Sequence, residues 1–270
     1  MSRSIDELPD ALADPEGLEA RIAGRTPAVF LDYDGTLTPI VDRPEDALIS
    51  DSMRQAVRDL ARRCTVCVVS GRDRKVVQEL MGVDDLVVAG SHGFDIWSPG
   101  EGAVEHQAGA GSEALVERVT ARLHERLDPI EGAAVEEKKV SVAAHYRLAA
   151  QDDRERVRAA VEDLLAEHPD ELKVTPGKMV LEVQPKLDWD KGKAVLYLLE
   201  ALGLDGEDVA PIYLGDDVTD EDAFRALADR GIGIFVGDPE DPDAAGRTTA
   251  AHFVLESTEE VERFLSRLAR

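Results

Sequence analysis

Carboxylates gather at two places in this 270-residue chain. DYDGT (32–36) sets Asp32 and Asp34 two residues apart at the end of an apolar run, so both side chains can face one site. Gly35 lets the backbone turn closely past a ligand. Taken alone, D-x-D-G also suits a turn with polar caps. GDDVTDED (215–222) brings Asp216, Asp217 and Asp220 after a second apolar run. Its Glu221 and Asp222 equally suit a helix N-terminus. Gathered at one spot, these carboxylates repel, and one or more must protonate unless a cation sits among them. A hard divalent ion removes the conflict. Mg2+ prefers oxygen, takes one or two carboxylates, and keeps waters or phosphate oxygens in its shell. Both motifs lack His and Cys, which disfavours zinc.

Three more polar features fall at or just after apolar runs. Ser70 in VVSGRD (68–73) can give a neutral hydrogen bond to a phosphate oxygen, or close a Ser-Gly turn. Lys191 in DWDKGKA (188–194) lies at a helix start, where an ammonium and free N–H groups make an anion site. A solvated lysine is the plain alternative. His92 in SHGFD (91–95) can orient a hydroxyl, donate to phosphate, or serve the loop alone.

An open sheet with ligands at its carboxyl edge would position all five features. AVFLDYD (28–34), CVVSG (67–71) and LVVAG (86–90) read as strands, with helices over Ser52–Arg63 and Arg72–Met81 between them. Continuous apolar strands alternating with helices imply a parallel sheet covered on both faces. The pattern resumes with a helix over Asp190–Leu202, strand APIYLGDD (210–217), a helix over Thr219–Ala228, and strands GIGIFVG (231–237) and AHFVL (251–255). Ser257 and Glu260 fit a capping box before the last helix. Between the halves, AAVEEKKVSVAAHYR (133–147) and ELKVTPGKMVLEVQP (171–185) alternate like paired strands. The first has a turn near Glu137, the second about Pro176–Gly177, and a helix lies around Asp153–Glu167. The expected fold is α/β: a doubly wound, Rossmann-like core over 1–107 and 187–270, with an α+β insert over 108–186.

Apolar residues make up 43% of the chain and charged residues 32%, enough for a core and a soluble surface. The net charge of −25 argues against nucleic acid or an anionic membrane as partner. An anionic substrate would then need local cations to reverse the field. No apolar run is long enough to span a bilayer, and the polar, acidic N-terminus lacks a signal-peptide core, so a cytoplasmic location is expected. Cys64 and Cys67 form a C-x-x-C inside a strand, where positions three apart point to opposite faces. With no second pair and no helix start beside them, they read as small buried hydrophobes.

D-x-D-G-T, a strand ending in Ser, a Lys before G-x-A, and G-D-D-x-x-D, in this order, resemble the haloacid dehalogenase-like phosphatase superfamily. Within it, the chain resembles the trehalose-6-phosphate phosphatase family through FLDYDGTLTPIV (30–41), VVSGRD (68–73), GSHGFDI (90–96), VSVAAHYR (140–147), GKMVLEVQP (177–185) and YLGDDVTDEDAF (213–224). The resemblance implies that Asp32 is the nucleophile and Asp34 the general acid and base. It implies Mg2+ held by the Asp32 carboxylate, the Asp34 backbone carbonyl and Asp216. Ser70 and Lys191 would bind phosphoryl oxygens, with Asp217 and Asp220 orienting metal waters or Lys191. The insert would be a cap that reads the sugar through Lys178 and Glu182, with Arg147, Arg72, His92 and Gly93 as further substrate contacts. Family members often carry Glu where this chain has Asp95. The expected protein is a monomer acting on a small sugar phosphate; the alternatives are a sister phosphatase for sucrose phosphate or mannosyl-3-phosphoglycerate, or a phosphomutase.

Overall fold

Apolar runs become adjacent central strands because each can bury both faces. Val29, Phe30, Leu31, Val68, Val69, Ile212, Tyr213 and Leu214 are all fully buried. The computed structural model describes residues 3–99, 105–107, 111–241, 244 and 246–270. The principal elements in chain order are α1 (Pro15–Ile22), β1 (Thr26–Leu31), α2 (Asp51–Ala61), β2 (Thr65–Val69), α3 (Arg74–Met81), β3 (Val87–Gly90), β4 (Asp95–Trp97), β5 (Glu105–Gln107), α4 (Glu113–Leu127), β6 (Ala134–Glu137), β7 (Val142–His145), α5 (Gln151–Glu167), β8 (Leu172–Gly177), β9 (Val180–Pro185), α6 (Lys191–Ala201), β10 (Val209–Gly215), α7 (Glu221–Leu227), β11 (Ile232–Val236), β12 (Phe253–Leu255) and α8 (Thr258–Leu268). They fall into two compact units, Met1–His106 with Asp190–Arg270, and Gln107–Trp189.

The larger unit is a mixed α/β sheet in the order β12-β11-β10-β1-β2-β3-β4-β5. The strands from β12 to β3 pair in parallel, and β4 returns antiparallel to β3. From β1 the chain winds outward through β2 and β3; from β10 it winds the other way. The reversal therefore lies between β1 and β10, which pair with Leu31 opposite Leu214. In open α/β sheets the crevice beyond such a reversal is where ligands bind. Strand alternation sends Val29, Leu31, Ile212 and Leu214 toward Met53, Val57 and Leu60 of α2 and Val261, Phe264 and Leu265 of α8. Tyr213 points to the opposite face and meets Phe224 of α7 edge-on, ring centroids 5.7 Å apart.

The smaller unit is an antiparallel sheet in the order β6-β7-β9-β8. Val142, Ala144 and Val183 share a core with Val119, Leu123 and Leu127 of α4 and Val157, Val161 and Leu164 of α5. Alternation turns Ser141, His145, Glu182 and Gln184 to the face away from those helices.

Local chemistry moves several expected boundaries. The second turn of the smaller unit is Lys178–Met179, not Pro176–Gly177, which close β8; Met179 takes the left-handed φ of 64°. The expected helix over Thr219–Ala228 is a 3-10 turn, Val218–Asp220, followed by α7. Ser257 caps α8 through Glu260 N–H, but the Glu260 carboxylate reaches back to Glu256 N–H, one residue before the box partner. Cys64 and Cys67 are both free, and burial pushes the Cys64 thiol up to about 11, which leaves it unreactive. No described helix is long and apolar enough to cross a membrane.

His252 ties the end of the sheet together and makes stability depend on pH. Its Nδ1 accepts Gly233 N–H at 3.0 Å, and its backbone N–H donates to Gly233 O at 2.7 Å. Burial, with the Arg21 charge nearby, lowers its pKa from 6.5 to about 4. An unfolded chain takes up a proton below 6.5 that the native imidazole refuses, so this contribution is present above 6.5 and is lost as pH falls toward 4. Discounted for partial exposure, it is worth about 1–2 kcal/mol. Urea unfolding of wild type and His252→Asn at pH 7.5 and 4.5 should show the variant losing less stability between the two. Equal losses would overturn the assignment.

Candidate active site

Asp32 directly follows β1, and its backbone N–H donates to Leu214 O of β10 at 2.9 Å. That bond sets the DYDGT loop beside the GDD loop at the sheet's reversal. Asp32, Asp216 and Asp220 are buried and each offers an oxygen within 4.8 Å of the others. Two glycines make room for them. A methyl group on Gly35, whose φ is 76°, would lie 2.1 Å from Asp216 Oδ2. One on Gly215 would lie 2.3 Å from Asp220 Cγ. Side chains at either position would evict a carboxylate.

Lys191 opens α6 and is buried among them. Its Nζ lies 2.7 Å from Asp220 Oδ1 and 3.1 Å from Asp32 Oδ1. The helix start brings it there because Asp190 caps α6 by accepting Lys193 N–H. Asp220 is fully engaged: Oδ1 also accepts the Tyr213 hydroxyl at 2.6 Å, and Oδ2 accepts Asp217 N–H at 2.9 Å. Burial alone would lower the Lys191 pKa, but Asp220 and Asp32 raise it overall, so the ammonium stays charged. Burial pushes the Asp32 carboxyl well up; Lys191 opposes this, and Asp220, Asp216 and Asp34 add to it. The ion pair at 3.1 Å favours the charged carboxylate, while three buried carboxylates within 4.8 Å of one another disfavour it. Carboxylates so close repel unless cations sit among them. The donor set thus fits one further cation. Asp220 is spent on Tyr213, Lys191 and Asp217, so Asp32 and Asp216 are the carboxylates suited to hold it, and an all-oxygen set suits a hard divalent ion.

The other expected residues divide between the two units. Ser70 is buried at the end of β2, where its Oγ accepts Arg72 N–H at 3.1 Å and its carbonyl accepts His92 N–H at 2.8 Å. His92 packs over Gly71, where a methyl group would lie 2.9 Å from its Cε1. Ser91, His92 and Gly93 have successive φ values of 50°, 55° and 88°, a left-handed turn stitched to the Ser70 loop by Ser91 N–H on Arg72 O at 2.7 Å. Asp34 does not join the cluster. Arg72 grips it through Nε and Nη2, both at 2.7 Å. The Asp217 carboxylate accepts Val218 N–H at 2.7 Å and so caps its own turn.

In the smaller unit, Arg147 donates to Lys178 O at 2.9 Å and so braces the β8–β9 turn. Glu182 accepts Ser141 Oγ at 2.6 Å and Lys138 Nζ at 3.0 Å. Beside them, His145 pairs with Glu136 at 2.7 Å. The sequence reading missed Tyr213, Lys138 and Ser141. Strand alternation was the available signal: Tyr213 shares its strand face with Gly215, and Ser141 shares its face with Ala143, which pairs with Glu182.

The trehalose-phosphatase family model matches residues 30–257. The trehalose-phosphate phosphatase of Mycobacterium tuberculosis H37Rv is 42% identical over 269 residues, covering 99% of this chain and 67% of that protein. Among solved structures, the C-terminal domain of Candida albicans trehalose-6-phosphate phosphatase superposes with a TM-score of 0.82 at 26% identity, covering 97% of this chain and 98% of that one. A haloacid dehalogenase-like hydrolase from Bacteroides thetaiotaomicron shares the fold at a TM-score of 0.63 and 17% identity, over 90% of this chain and all of that one. With its carboxylates and lysine assembled at the reversal of a haloacid dehalogenase-like sheet, this chain is a phosphatase that belongs to the trehalose-phosphatase family.

Proposed function

We propose that the protein hydrolyses trehalose 6-phosphate to trehalose and phosphate through an aspartyl-phosphate on Asp32. The observation that carries this reading is the buried Asp32 carboxylate held 3.1 Å from Lys191 at the sheet's reversal, in a chain of this family. Asp32 attacks phosphorus in line and the sugar oxygen leaves. Asp34 gives that oxygen a proton, then takes one from the water that cleaves the acyl phosphate. Lys191 and Ser70 bind phosphoryl oxygens as charge shifts among them. Mg2+, held by Asp32, Asp216 and the Asp34 carbonyl, would supply further charge neutralisation at phosphorus. Asp220, locked by Tyr213, keeps Lys191 aimed.

The smaller unit is proposed to read the sugar. Glu182 is braced by Ser141 and Lys138 and suited to accept sugar hydroxyls. Lys178 and Arg147 of the same unit, with His92 and Gly93 of the larger one, are the further proposed contacts.

Two measurements test this. Phosphate release should be fastest from trehalose 6-phosphate in a panel with sucrose 6-phosphate, mannosyl-3-phosphoglycerate and glucose 6-phosphate. A faster sister substrate would displace trehalose from the proposal, and phosphate moved to a second sugar position without release would make it a mutase. Glu182→Gln should lower kcat/KM on trehalose 6-phosphate by ~10- to 150-fold, the worth of hydrogen bonds to a charged group. The same variant should act on p-nitrophenyl phosphate much as wild type does. Equal losses on both esters would remove Glu182 from sugar recognition.

A further inference from the structure

We infer that Arg72 is a positioning residue for Asp34, not a ligand of the substrate; this rests on the acid–base role proposed above for Asp34. The guanidinium meets both Asp34 oxygens at 2.7 Å, through Nε to Oδ2 and Nη2 to Oδ1. This two-pronged contact fixes a carboxylate in direction as well as distance.

The holder is itself held. The Arg72 side chain is 12% exposed, against 35% for Asp34. Its guanidinium lies over the Tyr33 ring, 5.5 Å from the centroid. Tyr33 is fully buried, and its hydroxyl donates to Ala47 O at 2.9 Å. The Arg72 backbone is fastened at both ends, N–H to Ser70 Oγ and O to Ser91 N–H. Asp34 by contrast has the more exposed side chain, although its loop backbone is tied down by Gly35 N–H on Thr38 O at 2.8 Å. A rigid arginine from the β2 loop therefore dictates where the more exposed carboxylate of the β1 loop points. A phosphate approaching Arg72 would have to displace a bidentate carboxylate from those two nitrogens. The economical role for Arg72 is to act through Asp34. Lysine, a single point charge, cannot reproduce the fork.

This makes the effect of Arg72 depend on the leaving group. A sugar alkoxide needs a proton as it departs, and p-nitrophenolate does not. Single-turnover cleavage of trehalose 6-phosphate and the p-nitrophenolate burst from p-nitrophenyl phosphate isolate the first half-reaction for each ester. Arg72→Met should slow sugar-phosphate cleavage ~100-fold, the lower end of what general-acid catalysis contributes. Its nitrophenolate burst and both KM values should stay within about threefold of wild type. Arg72→Lys should fall between wild type and Arg72→Met on the sugar phosphate. Equal slowing on both esters, or a tenfold rise in KM with cleavage unchanged, would make Arg72 a phosphate ligand and overturn the inference. No slowing on either ester would reduce the pair to a structural contact and also overturn it. Asp34→Asn run alongside separates the two claims. If it discriminates between the esters and Arg72→Met does not, only the positioning role fails. If Asp34→Asn itself does not discriminate, the acid role falls and this inference with it.

Discussion

Asp32→Asn is expected to abolish phosphate release, by about 10^4-fold or more, while the protein stays folded. Asparagine keeps the size and the backbone bond to Leu214 but offers no anionic oxygen to attack phosphorus. The fold should tolerate the change because the site carries an excess of negative charge. Asp32, Asp216 and Asp220 crowd within 4.8 Å of one another, and Lys191 keeps its shorter contact, to Asp220 at 2.7 Å, when Asp32 is neutral. Thermal unfolding in chelator should therefore be unchanged or shifted upward. Loss of activity with a large drop in melting temperature would mean that the asparagine disrupted packing, and activity above about 1% of wild type would place the nucleophile elsewhere.

The strands and the carboxylate motifs were legible in the sequence because both depend on short-range rules. An apolar run with a polar end can bury two faces and must stop at an edge, so AVFL and PIYL announced β1, β10 and the loops after them. Asp32 and Asp216 followed from those edges, and Lys191 from the helix start in DWDKGKA. What stayed hidden was the choice of partner among several available ones. Asp34 sits two residues from Asp32 in the chain, yet its carboxylate turns to Arg72, 38 residues away, where a guanidinium fork outcompetes the crowded acidic cluster. Asp217 is next to Asp216 but caps its own turn, since the nearby Val218 N–H needed an acceptor. Tyr213 read as one more apolar strand residue, although its hydroxyl, once buried, had to find an acceptor and found Asp220. In the smaller unit, Glu182 stood out by family resemblance, but its braces Ser141 and Lys138 arise from strand register, which no local pattern in β7 or β9 declares.

Lys191→Met should cost activity and stability together, and the stability loss should depend on divalent cation. Methionine fills most of the lysine's volume, so packing is largely kept and charge is the variable that changes. The ammonium is buried and lies within 3.1 Å of Asp32 and 2.7 Å of Asp220. Removing one partner of such a buried cluster costs about 3–5 kcal/mol, because Asp32 and Asp220 lose the ammonium that lies between them. Activity should fall ~10^2- to 10^3-fold, the effect of losing one group that stabilises developing charge. With chelator present the full stability loss should appear. Mg2+ at about 100 times its dissociation constant adds about 2.7 kcal/mol to a protein that binds it only when folded. It should add more to the variant than to wild type, because the Lys191 ammonium no longer competes with the ion for Asp32. The same experiment separates two kinds of lysine. One that only contacts substrate would lose activity without any cation-dependent change in melting temperature. One that balances Asp32 and Asp220 must transfer that duty to the ion, so a stability gap that does not narrow with Mg2+ would refute the electrostatic account of the site.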